Sequence, residues 1–323
     1  MNKFTFAFFI AILFAFNSYG QKDTLSKKDK AALDSMIKND EFLKMMNESK
    51  GSKVNIAVGI GNGTFSDHNK AVNATGETKK LVITPSLFYH HKSGFSVGIM
   101  PYITSDSLNS AVYQTGLSAS YDYSGDVVDA GVSYTRYLSD KSKYNNNSLY
   151  QNDIFGYVKK SGGIIQPLLQ LGFSNGNYKE WGYTYFKRPI IGDTILIKDS
   201  TTNKASYFSV TVGIEHDFSE YNLFSKNDEL EINPSILINS GSDNISSTHT
   251  NKAYNNIIVL NRRKKFVSAS NKFQLQSVAA SLDMTYSIGK FYVQPSLYAD
   301  YYLPSTTSKR LTAIYSLTVG LSF

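Results

Sequence analysis

Carboxylates are the residues whose spacing in this chain most invites chemistry. Asp122, Asp129, Glu215, Asp217, Glu229, Glu231, Asp283 and Asp300 each fall out of phase with the apolar residues around them. In an extended chain, residues of one parity share a face, so apolar residues on one side leave the other parity for the opposite side. Asp122, Asp129, Glu215, Glu231, Asp283 and Asp300 are thus candidates for one shared acidic surface. Basic residues in that phase are few, with Lys53 the clearest. Carboxylates gathered round a narrow aqueous space favour cations and repel anions. The same residues also suit a plainer role, paired with partners or standing at wet strand ends.

Other chemistries find less support. Cysteine is absent, which excludes disulfides, thiolate metal sites, a catalytic Cys and a lipid-modified Cys. His90 and His91 are adjacent, and neighbours along a strand point to opposite faces, so the two do not share a metal. His68, His216 and His249 are isolated, and no phosphate loop or metal-spaced ligand set is present. No cofactor is implied. Arg262–Lys265 is the only dense basic run within a net charge of +7. It reads as a solvated loop or a contact for anionic lipid headgroups rather than a nucleic-acid surface.

The elements that must position these residues are strands. From Lys53 onward the period is two: Val54, Ile56, Val58 and Ile60, then Leu81, Ile83, Pro85, Leu87 and Tyr89, then Phe95, Val97, Ile99, Pro101 and Ile103. Continuing gives about twelve strands, near 53–61, 80–90, 95–103, 111–123, 127–138, 150–159, 164–173, 205–218, 229–239, 273–288, 291–302 and 310–323. Each suits a tilted strand crossing a bilayer, for which ~9–11 residues suffice. Short links (His91–Gly94, Ser124–Asp126, Lys160–Gly163, Gly289–Lys290) alternate with long ones (62–79, 139–149, 174–204, 240–272), as in barrels with tight turns at one end. Segment 174–204 holds Trp181, Tyr183 and Tyr185 and suits a hairpin above the wall; 240–272 suits a loop that constricts or binds. Prolines 85, 101, 167, 234 and 295 fall in the apolar phase and suggest local bulges. With 23 Tyr and 20 Phe against one Trp, the aromatic content suits two membrane–water interfaces. The mean hydropathy of −0.25 is no objection, because alternation conceals apolar residues.

The first fifty residues differ. Lys3, an apolar run from Phe4 to Phe16 and Ser18-Tyr19-Gly20 predict a signal peptide over 1–20. Ser26 to Glu48 reads as a helix, with Leu33, Met36, Ile37, Leu43 and Met46 near helical spacing. Residues 21–52 are then a periplasmic helix and linker. The helix is a linker, a plug for the interior, or a docking element for a periplasmic partner.

The last strand carries a resemblance. Leu311, Ala313, Tyr315, Leu317, Val319, Leu321 and Phe323 alternate to the final residue. This is similar to the C-terminal strand of outer-membrane β-barrel proteins of Gram-negative bacteria. The resemblance implies an outer-membrane location, contact with lipid and lipopolysaccharide, and recognition of Tyr315, Leu317, Val319, Leu321 and Phe323 by the barrel-assembly machinery. Gly172-Phe173-Ser174-Asn175-Gly176 resembles the Ser-Asn-Gly segment of outer-membrane phospholipase A. That likeness implies a His base two residues before the Ser, and here the position is Gly172, so no catalytic residue is assigned. Arg136 follows Val128, Ala130, Val132 and Tyr134 in the apolar phase, near the outer end of its strand, which suits a lipid headgroup contact.

The sequence therefore reads as all-β: a closed antiparallel transmembrane β-barrel of about 12 strands over 53–323, with a short N-terminal α-helix. Its function reads as a narrow or plugged pore for small polar or cationic solutes. The alternative is a non-conducting binding or structural barrel that acts through its outer loops or helix. No enzymatic activity is expected.

Overall fold

Alternating residues from position 53 onward do form strands. The computed structural model describes residues 51–62, 81–106, 109–139, 150–187, 194–254, 259–270, 272–304 and 310–323. The expected signal peptide and helix lie outside them. The strands are β1 (Lys53–Gly61), β2 (Val82–His90), β3 (Phe95–Asp106), β4 (Asn109–Ser124), β5 (Val128–Ser139), β6 (Asn152–Lys160) and β7 (Gln166–Lys187). They continue as β8 (Thr194–Glu215), β9 (Phe218–Tyr221), β10 (Asp228–Tyr254), β11 (Val259–Ser270), β12 (Gln274–Ile288), β13 (Phe291–Tyr302) and β14 (Leu311–Ser322).

Every neighbour pairs antiparallel, and the sheet closes. β1 lies between β2 and β14, with Val58 opposite Pro85 on one side and Val319 on the other. β8 pairs with β10, which pairs with β12. The ring is therefore twelve-stranded, β1 to β8 followed by β10, β12, β13 and β14. β9 prolongs the β8 edge along β10 at the tight-turn end, and β11 prolongs the β12 edge along β10 at the other end. Phe323 completes the seam, its N–H donating to Val54 O and its own carbonyl accepting from Val54 N–H, both at 2.9 Å.

The segment expected as a hairpin above the wall, 174–204, is one, and much of the segment expected as a loop, 240–272, is strand as well. β7 and β8 stay paired out to Lys187 and Thr194, and β10 and β11 out to Tyr254 and Val259. β8 and β10 also pair up to Leu196 opposite Tyr254. One sector of the wall thus rises as a four-stranded sheet beyond the rest. The expected link 104–110 is likewise mostly strand, since β3 reaches Asp106 and β4 starts at Asn109.

The tight turns obey simple backbone chemistry. Gly94 and Gly289 take positive φ values of 92° and 57° in the turns after β2 and β12. In the turn after β9, Asn222 and Asn227 adopt left-handed conformations, which Asn tolerates better than most residues. Buried Asp228 organises this turn. It accepts hydrogen bonds from the backbone N–H of Leu223, Phe224 and Ser225 at 2.8–2.9 Å and from the Tyr286 hydroxyl at 3.0 Å. Burial alone pushes its carboxyl up, but these four donors outweigh it and hold the group below the usual carboxylate range. The stabilisation is thus present above the unfolded-state pKa and is lost as pH falls through the lower folded value. Thermal unfolding in detergent is expected to drop more steeply below pH ~4 for the parent than for Asp228→Asn, which starts lower at neutral pH. Parallel pH profiles for the two proteins would refute this role.

Proline does not mark bulges here. Pairing between β2 and β3 lapses after Ile83–Ile103 and resumes at Leu87–Ile99 without a register shift, which places Pro85 opposite Pro101. A similar lapse spans Met284 opposite Pro295. Proline brings no N–H that must be satisfied in an apolar surround, so the ladder loses bonds without orphaned donors. The bulges lie elsewhere, where Tyr113, Lys265 and Gln276 have no opposite residue.

Burial follows the same parity. On β1, Ala57 is 5% exposed and Val58 45%. The outward residues form an apolar band edged by exposed rings: Tyr89, Phe95, Tyr121, Phe291 and Phe323 at the tight-turn end, and Phe173, Phe208, Phe273, Tyr301 and Tyr315 toward the other. Along β14 the band runs from Leu311 to Leu321, about 25 Å for a strand tilted ~40°.

Candidate functional site

The interior is lopsided because inward residue sizes are lopsided. On β14, β1 and β2 most inward residues are small: Ser316, Thr318 and Gly320; Asn55, Ala57, Gly59 and Gly61; Thr84 and Ser86, with Ile314, Val82 and Phe88 the larger ones. Across from them β6, β7, β8 and β10 supply Tyr157, Lys159, Leu168, Tyr207 and Leu237. Leu168, Leu237, Ala279, Tyr298 and Ile314 form a buried apolar cluster against which Tyr157 packs. The open space is thereby pushed to the closure seam. A cavity of about 370 Å³ runs there along β1 from Asn55 to Gly61, lined mainly by hydroxyl and amide side chains.

Glycines keep the large side chains against the wall. The space a side chain at Gly98 would occupy is filled by the Phe88 ring, and at Gly320 by the Tyr292 ring. At Gly131, Tyr157 from β6 crosses β5 and donates its hydroxyl proton to Asp122 Oδ1 on β4 at 3.1 Å. Each ring lies over a neighbouring strand instead of standing across the bore.

The six acidic candidates divide into three groups. Asp122 and Asp283 both line the cavity, on opposite flanks of the seam. Asp122 is held by Tyr157, and Asp283 accepts from the Ser296 hydroxyl at 2.6 Å. Asp300 is buried in a polar network, where it accepts from Tyr298 at 3.3 Å and from Asn239 Nδ2 at 3.4 Å. Asn239 in turn accepts from Thr211 at 2.7 Å. Glu215, Asp129 and Glu231 lie toward the tight-turn end. Glu215 Oε1 is 3.3 Å from Lys159 Nζ, which also lies 3.1 Å from Asp217 Oδ2, while Asp129 is the register partner of Lys159. Lys159 is the inward base that the sequence reading passed over in favour of Lys53. Its charge offsets part of the acidity on the far wall, whereas no Lys or Arg lines the cavity among the described residues.

Toward the other end buried tyrosines gather on the inner wall. The bulge at Tyr113 turns Tyr113 and Gln114 inward together, and Tyr113 packs 6.2 Å from Tyr102, itself 6.3 Å from Tyr137. The second bulge does the same for Gln276 and Ser277, and Gln276 accepts from the Tyr207 hydroxyl at 2.7 Å. Ser174, of the Ser-Asn-Gly segment, donates to Asp153 at 2.6 Å within β6–β7 pairing. His90 and His91 bond separately, to Ser96 and Ser93.

On the outer surface Arg136 shares its face with exposed Val132, Tyr134 and Leu138. Its Nη1 donates to Asn152 Oδ1 at 2.6 Å, Tyr134 donates to the same oxygen, and Asn152 donates to Asn175 at 2.8 Å. Register extends this polar row from Arg136 through Asn152 and Asn175 to Ser206, directly above the row Tyr134–Ile154–Phe173–Phe208.

No protein-family model and no curated protein matches the chain. Similar solved structures include a bacterial polysaccharide outer membrane secretin, at 7% identity over 85% of this chain and 99% of that one, with a TM-score of 0.32. Another is the CymD monoaromatic hydrocarbon channel, at 8% identity over 84% and 87%, with a TM-score of 0.30. A third is the outer membrane channel DcaP of Acinetobacter baumannii, at 8% identity over 84% and 96%, with a TM-score of 0.23. At such distances the closed barrel rests on the strand pairing itself.

Proposed function

We propose that the barrel spans the outer membrane of a Gram-negative cell and passes small polar solutes, cations ahead of anions, through a narrow bore at the β14–β1 seam. The polar cavity along β1, flanked by Asp122 and Asp283 with no lining Lys or Arg among the described residues, carries this reading. A twelve-stranded wall fits it, since eight strands are just filled by side chains and sixteen leave a wide channel. The apolar band and its aromatic edges support a bilayer as the surround. In this reading Arg136 and its polar row meet lipid or lipopolysaccharide headgroups. The strand bearing Tyr315, Leu317, Val319, Leu321 and Phe323 is the one offered to the assembly machinery.

The buried tyrosines at the bulged end favour a second reading, a plugged barrel that binds without conducting. Conductance separates the two. In planar bilayers with a KCl gradient, the protein is expected to give small steps with a reversal potential of the sign for cations. Asp122→Asn combined with Asp283→Asn is expected to bring that potential markedly toward zero. An absence of steps favours the plugged reading, and an anion preference sinks the proposed selectivity.

A further inference from the structure

We propose that the tight-turn half of the seam cavity is a subsite for a single sugar ring, a pyranose that is neutral or carries an amine. This names the solute class for the pore described above and rests on that reading.

A sugar ring has two recognition surfaces: a face of C–H groups that packs on an aromatic ring, and a rim of hydroxyls that needs donors and acceptors. The cavity supplies both. Phe88 lies across Gly98 and Tyr292 across Gly320, so each ring has the wall behind it and takes part in the lining. His90 continues the Phe88 surface, its ring 6.0 Å away and tilted by only 17°. Its Nδ1 is tied to Ser96 Oγ at 2.8 Å, which fixes the imidazole in that orientation. Asn55 is the register partner of Phe88, and Ala57 that of Gly320, so the floor between the two rings is made of small side chains rather than filled. Aromatic faces set against hydroxyl-lined walls are an arrangement that suits amphipathic rings, with one apolar face and a polar rim.

Charge narrows the class. Asp122 and Asp283 line the same space and accept hydrogen bonds well from hydroxyl or ammonium groups. A carboxylated or phosphorylated sugar meets two like charges and no lining cation. The whole cavity, about 370 Å³, lies at the lower end for small-ligand pockets, so one half of it holds at most one ring rather than a chain.

The test uses the full chain in planar bilayers, with glucose, glucosamine, glucuronate and glycerol as probes. Glucose and glucosamine are expected to interrupt the current in a concentration-dependent way, with glucuronate and glycerol inert over the same range. Phe88→Leu with Tyr292→Leu, which keeps apolar side chains there and removes the aromatic faces, is expected to weaken the interruption about tenfold. Equilibrium dialysis of glucose against detergent-solubilised protein reads the subsite without current. Glucose binding without conductance removes the pore and leaves the subsite standing. Conductance with no glucose effect and no binding overturns the subsite and leaves the pore. Equal interruption by glucuronate, or an unchanged response in the double variant, also overturns it.

Discussion

Val58→Arg is expected to lower the stability of the barrel in a phospholipid bilayer by about 2–4 kcal/mol, whereas Leu311→Arg costs only about 0–1 kcal/mol. Both positions face outward and both are apolar, so composition alone does not separate them. Depth does. Val58 lies well inside the band, four residues along β1 from Val54, which stands opposite the edge ring Tyr89. Leu311 stands at its edge beside Tyr301, one residue inside the link that follows β13. An arginine at the edge extends its guanidinium to the headgroups, while one at the centre must thin the bilayer or draw in water. Arg136 is the natural counterpart: it stands one row above the apolar rings, and Arg136→Leu is expected to shift stability little. Denaturant unfolding from lipid vesicles, followed by the gel-mobility difference between folded and unfolded forms, gives all three values. Equal costs at 58 and 311 would mean that the band does not lie in a bilayer.

Much of this architecture is legible in the sequence, because a half-buried strand leaves its period there. The twelve strands, the tight turns and the outward phase of Val58, Ile99, Val132 and Val319 follow from alternation between two different environments. Where both faces meet the same environment, the period disappears. Residues 240–254 are rich in Ser, Thr and Asn with few apolar neighbours, so the upper part of β10 looks like a loop although it pairs on both sides. On β6 the opposite failure occurs. Ile154 and Val158 face outward, but Phe155 and Tyr157 are apolar too and face inward, so parity is ambiguous there and Lys159 was overlooked.

The bulges do leave a signal in the sequence. Apolar outward residues change parity between Val112 and Leu117, and again between Leu275 and Val278, because one extra residue in each strand resets the phase. Those resets place Gln114 beside Tyr113 and Gln276 beside Ser277 in the interior. The acidic positions were also visible, but their companions were not. That Tyr157 serves Asp122, Ser296 serves Asp283 and Asn239 serves Asp300 depends on register across two or three strands, which no local pattern encodes. That the prolines do not sit at bulges is hidden for a related reason: the pairing of Pro85 with Pro101 depends on the register of β2 against β3.

Gly131→Leu is expected to close most of the bore, and the loss is expected to be reversed by a second change at Tyr157. Gly131 has no side chain because the Tyr157 ring and Asp122 Oδ1 occupy the space where one would be. A leucine there cannot coexist with the ring on the wall. The strand has no slack to retreat, since Gly131 is paired with Asp122 on one side and with Tyr157 on the other. The ring must therefore swing inward, breaking its 3.1 Å hydrogen bond to Asp122 and standing in the passage. Overpacking of this kind costs about 1–3 kcal/mol, a tolerable loss for a closed barrel, so folded protein remains available to measure. Single-channel conductance is expected to fall to a small fraction of the parent value in Gly131→Leu. In Gly131→Leu with Tyr157→Ala the leucine takes over the vacated wall position, and conductance returns to at least the parent level. Tyr157→Ala alone widens the bore and weakens cation preference little, because Asp122 remains. The diagnostic is the non-additivity: two substitutions that act through one patch of wall must couple, whereas independent effects on folding would simply add. If the double variant conducts no better than Gly131→Leu, the ring is not what blocks the passage, and the bore does not depend on glycines keeping aromatic side chains against the wall.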